Sequence, residues 1–363
     1  MNNVKKIIST CLAAALMASG AVCCFTACSG EKTENTSQAQ SGSETNAPEE
    51  STTVEETTES VPENPYTSLD GKTVMFIGNS FLYYGGLIVN LDQKKDDDGM
   101  FKHLCQANGE NTVVYDCTYG AHNIKDFIPS GCTCSQHSGS ATKEYNGCPG
   151  HGADLLEGID LSKVDYVFMS EAGSNNANLV KDCEAVMARF TNPETQFIYV
   201  AHSYTYFNDH TNIIRGMETL KQNHNFKLVP WGKMVDDLID GRAKVENSKF
   251  KYEKNSFIVN KLDSHHPNPL SGYITALMCY CAVTGRDPVG QQYEFCDECS
   301  YGNGKKDNCD LVTGYDRFVR MYYNSARNTN FNLIMTDAAE MAGLQKLARN
   351  YIGDYLVKNS AEG

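Results

Sequence analysis

The chain has 363 residues, 41% hydrophobic and 21% charged, with a formal net charge of -14. That length buries the core of one large domain or two small ones, and the composition excludes a collagen-like or wholly disordered chain. The acidic balance excludes a nucleic-acid partner, because phosphate binding requires clustered Lys and Arg. In chain order, Lys5 and Lys6 are followed by a mostly apolar run to Val22. A basic start and a short apolar stretch predict a secretory signal, too short and too abruptly ended for a membrane span.

The signal ends Phe25-Thr26-Ala27-Cys28-Ser29-Gly30. This resembles the cleavage box of bacterial lipoproteins, with a plain signal peptide cut at Ala27 as the alternative. The resemblance implies that residues 1–27 are removed and that Cys28 becomes a lipid-bearing N-terminus. It implies a membrane partner through that lipid, and a place on the extracellular face of the bacterial cell membrane. Residues 29–65 carry nine Glu and one Lys among Ser, Thr, Asn and Pro. Such a segment buries too little apolar surface to offset its ordering entropy. Residues 28–65 are therefore predicted to be a disordered, solvated tether.

The composition changes at Ser68, and residues 66–360 are predicted to form the folded domain. Short apolar runs predict parallel strands at 73–78, 112–117, 165–170, 196–201 and 226–230. Helical patterning falls near 86–108, 178–190, 209–223, 272–284 and 337–357. The alternation predicts an α/β fold, a three-layer α/β/α sandwich on a five-stranded parallel sheet of flavodoxin-like type. In such sheets sites form at the carboxyl ends of the strands.

Fifteen cysteines are present, four of them within the first 28 residues. The eleven that remain are an odd number, so they cannot all pair within one chain. Two Cys-rich insertions stand out, at 131–152 and 296–310. The first holds Cys132, Cys134, His137, Cys148 and His151, and its residue types and spacings fit either a structural zinc or disulfides. The second holds Cys296, Cys299 and Cys309. Cys279 and Cys281 lie in an apolar helix and are expected to be buried thiols.

After the first strand comes Gly78-Asn79-Ser80-Phe81, which puts a Ser where a strand turns into a helix. A Ser hydroxyl needs a base to become a nucleophile; without one, Ser80 is simply a helix cap. Far downstream lies Asp263-Ser-His265-His266-Pro267, in which Asp263 and His266 have the spacing for a carboxylate to orient an imidazole. Tyr83 and Tyr84 are expected to line a pocket, and Trp231 to belong to the core.

These blocks, Thr73-Val-Met-Phe-Ile-Gly-Asn-Ser-Phe81 and Asp263-Ser-His-His266-Pro, with Thr284-Gly-Arg-Asp-Pro288 beyond them, resemble the SGNH/GDSL hydrolase superfamily. The resemblance implies Ser80 as nucleophile, His266 as base and Asp263 as its orienting partner, with no cofactor required. His265 does not fit the family's D-x-x-H spacing and is a neighbour. The family's oxyanion hole implies the amide of Ser80, Gly120 in Thr118-Tyr-Gly120, and Asn175 in Gly173-Ser-Asn175-Asn176. The third block departs from the family's G-x-N-D, and Ser170 or Asn176 are alternatives to Asn175. The implied activity is ester hydrolysis, and surface location points to acyl groups such as acetyl on polysaccharide. A glycan-binding module without turnover is the alternative function, and a hydrolase using zinc in the Cys/His insertion is a second.

Overall fold

Six residues, Thr73–Gly78, form β1, whose β-branched and apolar side chains suit a strand covered on both faces. In the computed structural model the described residues are 65–83, 96, 99–129, 132, 148, 150–171, 175–258, 265–293, 334 and 337–357. The signal, Cys28 and nearly all of the tether, Tyr84, Asp263, Cys134, His137 and the second Cys-rich insertion lie outside them. The remaining strands are β2 (Val113–Thr118), β3 (Tyr166–Met169), β4 (Gln196–Val200) and β5 (Lys227–Val229). All pair in parallel in the order β2-β1-β3-β4-β5. That order is the flavodoxin-like one, with its switch point between β1 and β3.

The pleat divides β1 between two cores. Val74 and Phe76 enter one and Met75 and Ile77 the other, and all four are fully buried. On the first face the ring of Phe76 stacks on Phe168 at 4.6 Å and meets Phe101 edge-on at 5.2 Å. Helices α2 (Met100–Ala107), α6 (Trp231–Ile239), α7 (Pro269–Thr284) and α8 (Ala338–Ile352) supply that core. The opposite face is covered by α3 (Leu179–Met187), α5 (Thr211–His224) and a 3-10 turn at Ile124–Phe127. Two short helices, α1 (Ser80–Tyr83) and α4 (Ser203–Phe207), follow the carboxyl ends of β1 and β4. Three layers result, as the alternating pattern predicts. Among the described residues no helix is long and apolar enough to cross a membrane.

Every residue of α7 is buried, including Cys279 and Cys281. A helix buried on every side, its Ser and Thr hydroxyls bonded to backbone carbonyls, belongs inside a domain. Its start is set by Asn268, whose side chain accepts from the Ser271 amide at 3.1 Å, and by Pro269 at the first helical position. Its end is set by Gly285, which adopts a left-handed φ of 76°.

None of the predicted helices covers α6. That helix starts Trp231-Gly232, and the reason for the glycine is tertiary. A Cβ at Gly232 would stand 2.3 Å from the carbonyl oxygen of His202 and 2.8 Å from the Ser203 amide nitrogen. The Gly232 amide donates to the Ala201 carbonyl at 2.9 Å, so α6 begins pressed against the loop after β4. Trp231 is in the core, as expected, 1% exposed. Both partners at Gly232 are backbone and cannot rotate away. Gly232→Ala is therefore expected to cost roughly 2–3 kcal/mol of stability, the upper range for overpacking, read as a lowered urea midpoint with an unchanged slope.

Candidate active site

Ser80 is the first residue of α1, at the carboxyl end of β1. The close approach of β1 and β3 there demands glycine at 78, because a Cβ would lie 2.9 Å from the Ser170 carbonyl oxygen. Asn79 is 1% exposed and uses its whole amide. Its Oδ1 accepts from the Phe81 amide at 3.1 Å, and its Nδ2 donates to the His122 carbonyl at 2.9 Å. Ser80 is thus a half-buried residue fixed between two buried ones, Asn79 and Phe81.

His266 reaches Ser80 from the turn before α7. Its Nε2 lies 2.8 Å from Ser80 Oγ, across 186 positions of sequence. Ile258 and Pro267 form an antiparallel bridge, the Asn268 amide donates to the Phe257 carbonyl at 3.1 Å, and Asn268 Nδ2 donates to the Ser256 carbonyl at 2.8 Å. This bracing holds the His266 turn at the mouth of the sheet. The Phe81 ring stacks on His202 at 4.0 Å and on His266 at 5.3 Å. His265 lies beside His266, ring centres 4.3 Å apart, and packs near Tyr204 at 5.5 Å. The imidazole facing Ser80 is therefore that of His266 rather than that of His265. Tyr83, expected to line a pocket, is instead a core residue, 4% exposed, because the apolar face of α1 turns inward.

Gly120 follows β2 in a tight turn. The Tyr119 amide donates to the Gly78 carbonyl at 3.1 Å, which ties the end of β2 to the end of β1. Ala121 takes a left-handed φ of 59°, and the His122 amide closes the turn on the Tyr119 carbonyl at 3.2 Å. Among the described residues the backbone amides of Ser80 and Gly120 donate no hydrogen bond. Two unspent donors at neighbouring strand ends suit an anion. Asn175 lies elsewhere in the network: it is exposed, and its Oδ1 accepts from the Asn212 amide at 2.7 Å, anchoring the start of α5. The alternatives are engaged too, Ser170 donating to the Val200 carbonyl at 2.9 Å and Asn176 to Asp182 at 2.9 Å.

A second cluster adjoins the Gly120 turn. His122 Nε2 lies 3.1 Å from Cys132 Sγ and 3.2 Å from Cys148 Sγ, and the two sulfurs are 3.5 Å apart. All three residues are buried, and together they have the ligand set to hold a metal ion. The cysteines are the ones the sequence singles out, but the histidine is not: His151 is exposed, and His122 takes the place beside the sulfurs. No spacing rule reaches His122, which precedes Cys132 by 10 positions and Cys148 by 26.

No protein-family model matches the chain, and no curated protein matches it. Among solved structures it is similar to a DUF4886 family protein from Bacteroides uniformis, at 14% identity and a TM-score of 0.42, covering 79% of this chain and 97% of that one.

Behind the Ser80–His266 pair lie two buried titratable groups, Glu171 and His202, 1% and 2% exposed. His202 Nε2 donates to the Glu171 carbonyl at 2.9 Å. Burial pushes the Glu171 carboxyl up to about 7, against hydrogen bonds from Asn176 and the Ile124 amide. Burial pulls the His202 imidazole down to about 3, against the hydrogen bond to Glu171. The signs oppose. Folded Glu171 keeps a proton that the unfolded chain releases near 4.5, so its contribution to stability is lost as pH rises from 4.5 to about 7. Unfolded His202 takes up a proton below 6.5 that the folded chain refuses down to about 3, so its contribution is lost as pH falls across that window. Relative to wild type, Glu171→Gln should gain roughly 3 kcal/mol as pH rises through its window, and His202→Gln roughly 5 kcal/mol as pH falls through its own. Urea unfolding across pH checks both, and differences that do not change with pH would contradict the assignment.

Proposed function

We propose that this chain is a serine hydrolase of ester bonds. The observation that carries the reading is the contact between His266 Nε2 and Ser80 Oγ, 2.8 Å, beside the Ser80 and Gly120 amides, which donate to no acceptor among the described residues. The resemblance of the Ser80 and His266 blocks to SGNH/GDSL hydrolases supports the same chemistry. Ser80 Oγ attacks the acyl carbonyl while His266 Nε2 accepts its proton. The carbonyl oxygen takes up the negative charge and receives hydrogen bonds from the Ser80 and Gly120 amides. His266 then returns the proton to the departing alcohol, and an acyl group remains on Ser80. Water, deprotonated by His266, attacks that acyl group, the bond to Ser80 Oγ breaks as His266 returns the proton to that oxygen, and the acid is released. Asp263 orients His266 and supports its positive charge in both steps.

The substrate class in this reading is an acyl ester on carbohydrate, with acetyl the simplest case. The enzyme works at the extracellular face of the membrane, held there by lipid on Cys28 and spaced from it by the tether. Residues 131–152 carry a structural zinc in the same reading, and no catalytic step is routed through it.

The test is turnover of an aryl acetate and of acetylated oligosaccharides by wild type, Ser80→Ala, His266→Asn and Asp263→Asn. The Ser80 and His266 variants should lose about 10³-fold or more in kcat, and Asp263→Asn about 10²-fold or more, with thermal unfolding unchanged. Undiminished turnover in Ser80→Ala would overturn the mechanism. A wild type that binds acetylated glycan but turns over none would support the non-catalytic module instead.

A further inference from the structure

We infer that His122, Cys132 and Cys148 form a tetrahedral metal site of zinc type, and that its histidine pins the turn beside Ser80. The tautomer of His122 suits a metal ligand. His122 Nδ1 lies 2.8 Å from the Gly120 carbonyl, an oxygen that can only accept. The ring proton is therefore on Nδ1, and Nε2 presents a lone pair toward both sulfurs. A backbone carbonyl on one imidazole nitrogen is the usual way a metal-binding His is oriented through the other.

The triangle of ligand atoms has the size of a metal site. With sides of 3.1, 3.2 and 3.5 Å, a point roughly 2 Å from all three atoms exists. Zinc bonds to nitrogen and sulfur are about 2.0–2.1 and 2.3 Å. The sulfurs are far beyond the roughly 2.05 Å of a disulfide. One further donor completes the tetrahedron.

The setting calls for a cross-link. Cys132 is pinned through its backbone, its amide donating to Ala153 at 2.9 Å and its carbonyl accepting from Gly152 at 3.1 Å. The chain between Cys132 and Cys148 is rich in Gly, Ser and Thr and offers little apolar material for a core of its own. A cross-link through a metal supplies what packing does not.

The site leads directly to the nucleophile. His122 uses its ring to hold the Gly120 carbonyl and its own carbonyl to hold Asn79 Nδ2, at 2.9 Å, and Asn79 precedes Ser80. His122 is thus a positioning residue, and bound metal would stiffen both the Gly120 and Asn79 turns. The metal assignment itself stands apart from the esterase reading, since its readout does not depend on turnover.

The experiment is metal analysis of the purified full chain by elemental mass spectrometry, with thiol counting and intact mass on the same sample. About one zinc per chain is expected, falling to near zero in His122→Ala, Cys132→Ser and Cys148→Ser. Because such variants can fail to fold, wild type is also stripped with a chelator and reloaded with Co²⁺ alone. The visible spectrum of tetrahedral cobalt with thiolate charge transfer should appear, and zinc should restore a thermal midpoint lowered by stripping. No zinc, no cobalt spectrum and free thiols would overturn the proposal, as would a mass short by two hydrogens with a Cys132–Cys148 disulfide.

Discussion

The hydrogen bond between His266 Nε2 and Ser80 Oγ, 2.8 Å long, joins the first strand to the helix behind the last one. Neither residue holds the other in place. Ser80 is held by the Asn79 amide and by the close approach that Gly78 permits between β1 and β3. His266 is held by Asn268, which caps α7 and ties the preceding turn to the 256–258 segment. The contact is therefore the meeting point of two independently braced turns. That arrangement suits the proposed hydrolysis, in which an angstrom of misplacement would cost orders of magnitude in rate.

Around this pair the carboxyl ends of the strands divide the work. β1 supplies Ser80, and the turn after β2 supplies Gly120. The turns after β3 and β4 supply Glu171 and His202, buried behind the Phe81 ring that stacks on both His202 and His266. An uncharged histidine and a carboxyl held near neutrality keep this backing layer from placing a fixed full charge beside His266 at mildly acidic pH. The stacked aromatic wall gives the pair a low-dielectric side, which strengthens electrostatic interactions at its open face.

Much of this was legible in the sequence, for physical reasons. Parallel strands buried on both faces read as continuous apolar runs, and all five were found within a residue or two of their ends. The Ser80 and His266 blocks were legible because a Ser at a strand-to-helix turn and a His three positions after an Asp are local patterns. What escaped depends on tertiary packing. The start of α6 is set by the fit of Gly232 against His202, which no local pattern records. Tyr83 is core because α1 turns its apolar side inward. His122 lies too far from Cys132 and Cys148 in sequence for any ligand spacing to flag it, and only the fold of the β2 turn brings them together. The burial of Glu171 and His202 is likewise a property of the assembled layers.

The most direct test of the account is chemical labelling of the intact chain with a fluorophosphonate, which forms a phosphonyl ester only with an activated hydroxyl. The account predicts one adduct per chain, localised by peptide mass spectrometry to Ser80, with labelling slowed by orders of magnitude in His266→Asn. Ester turnover with no adduct at Ser80, or an adduct at a different residue, would contradict it.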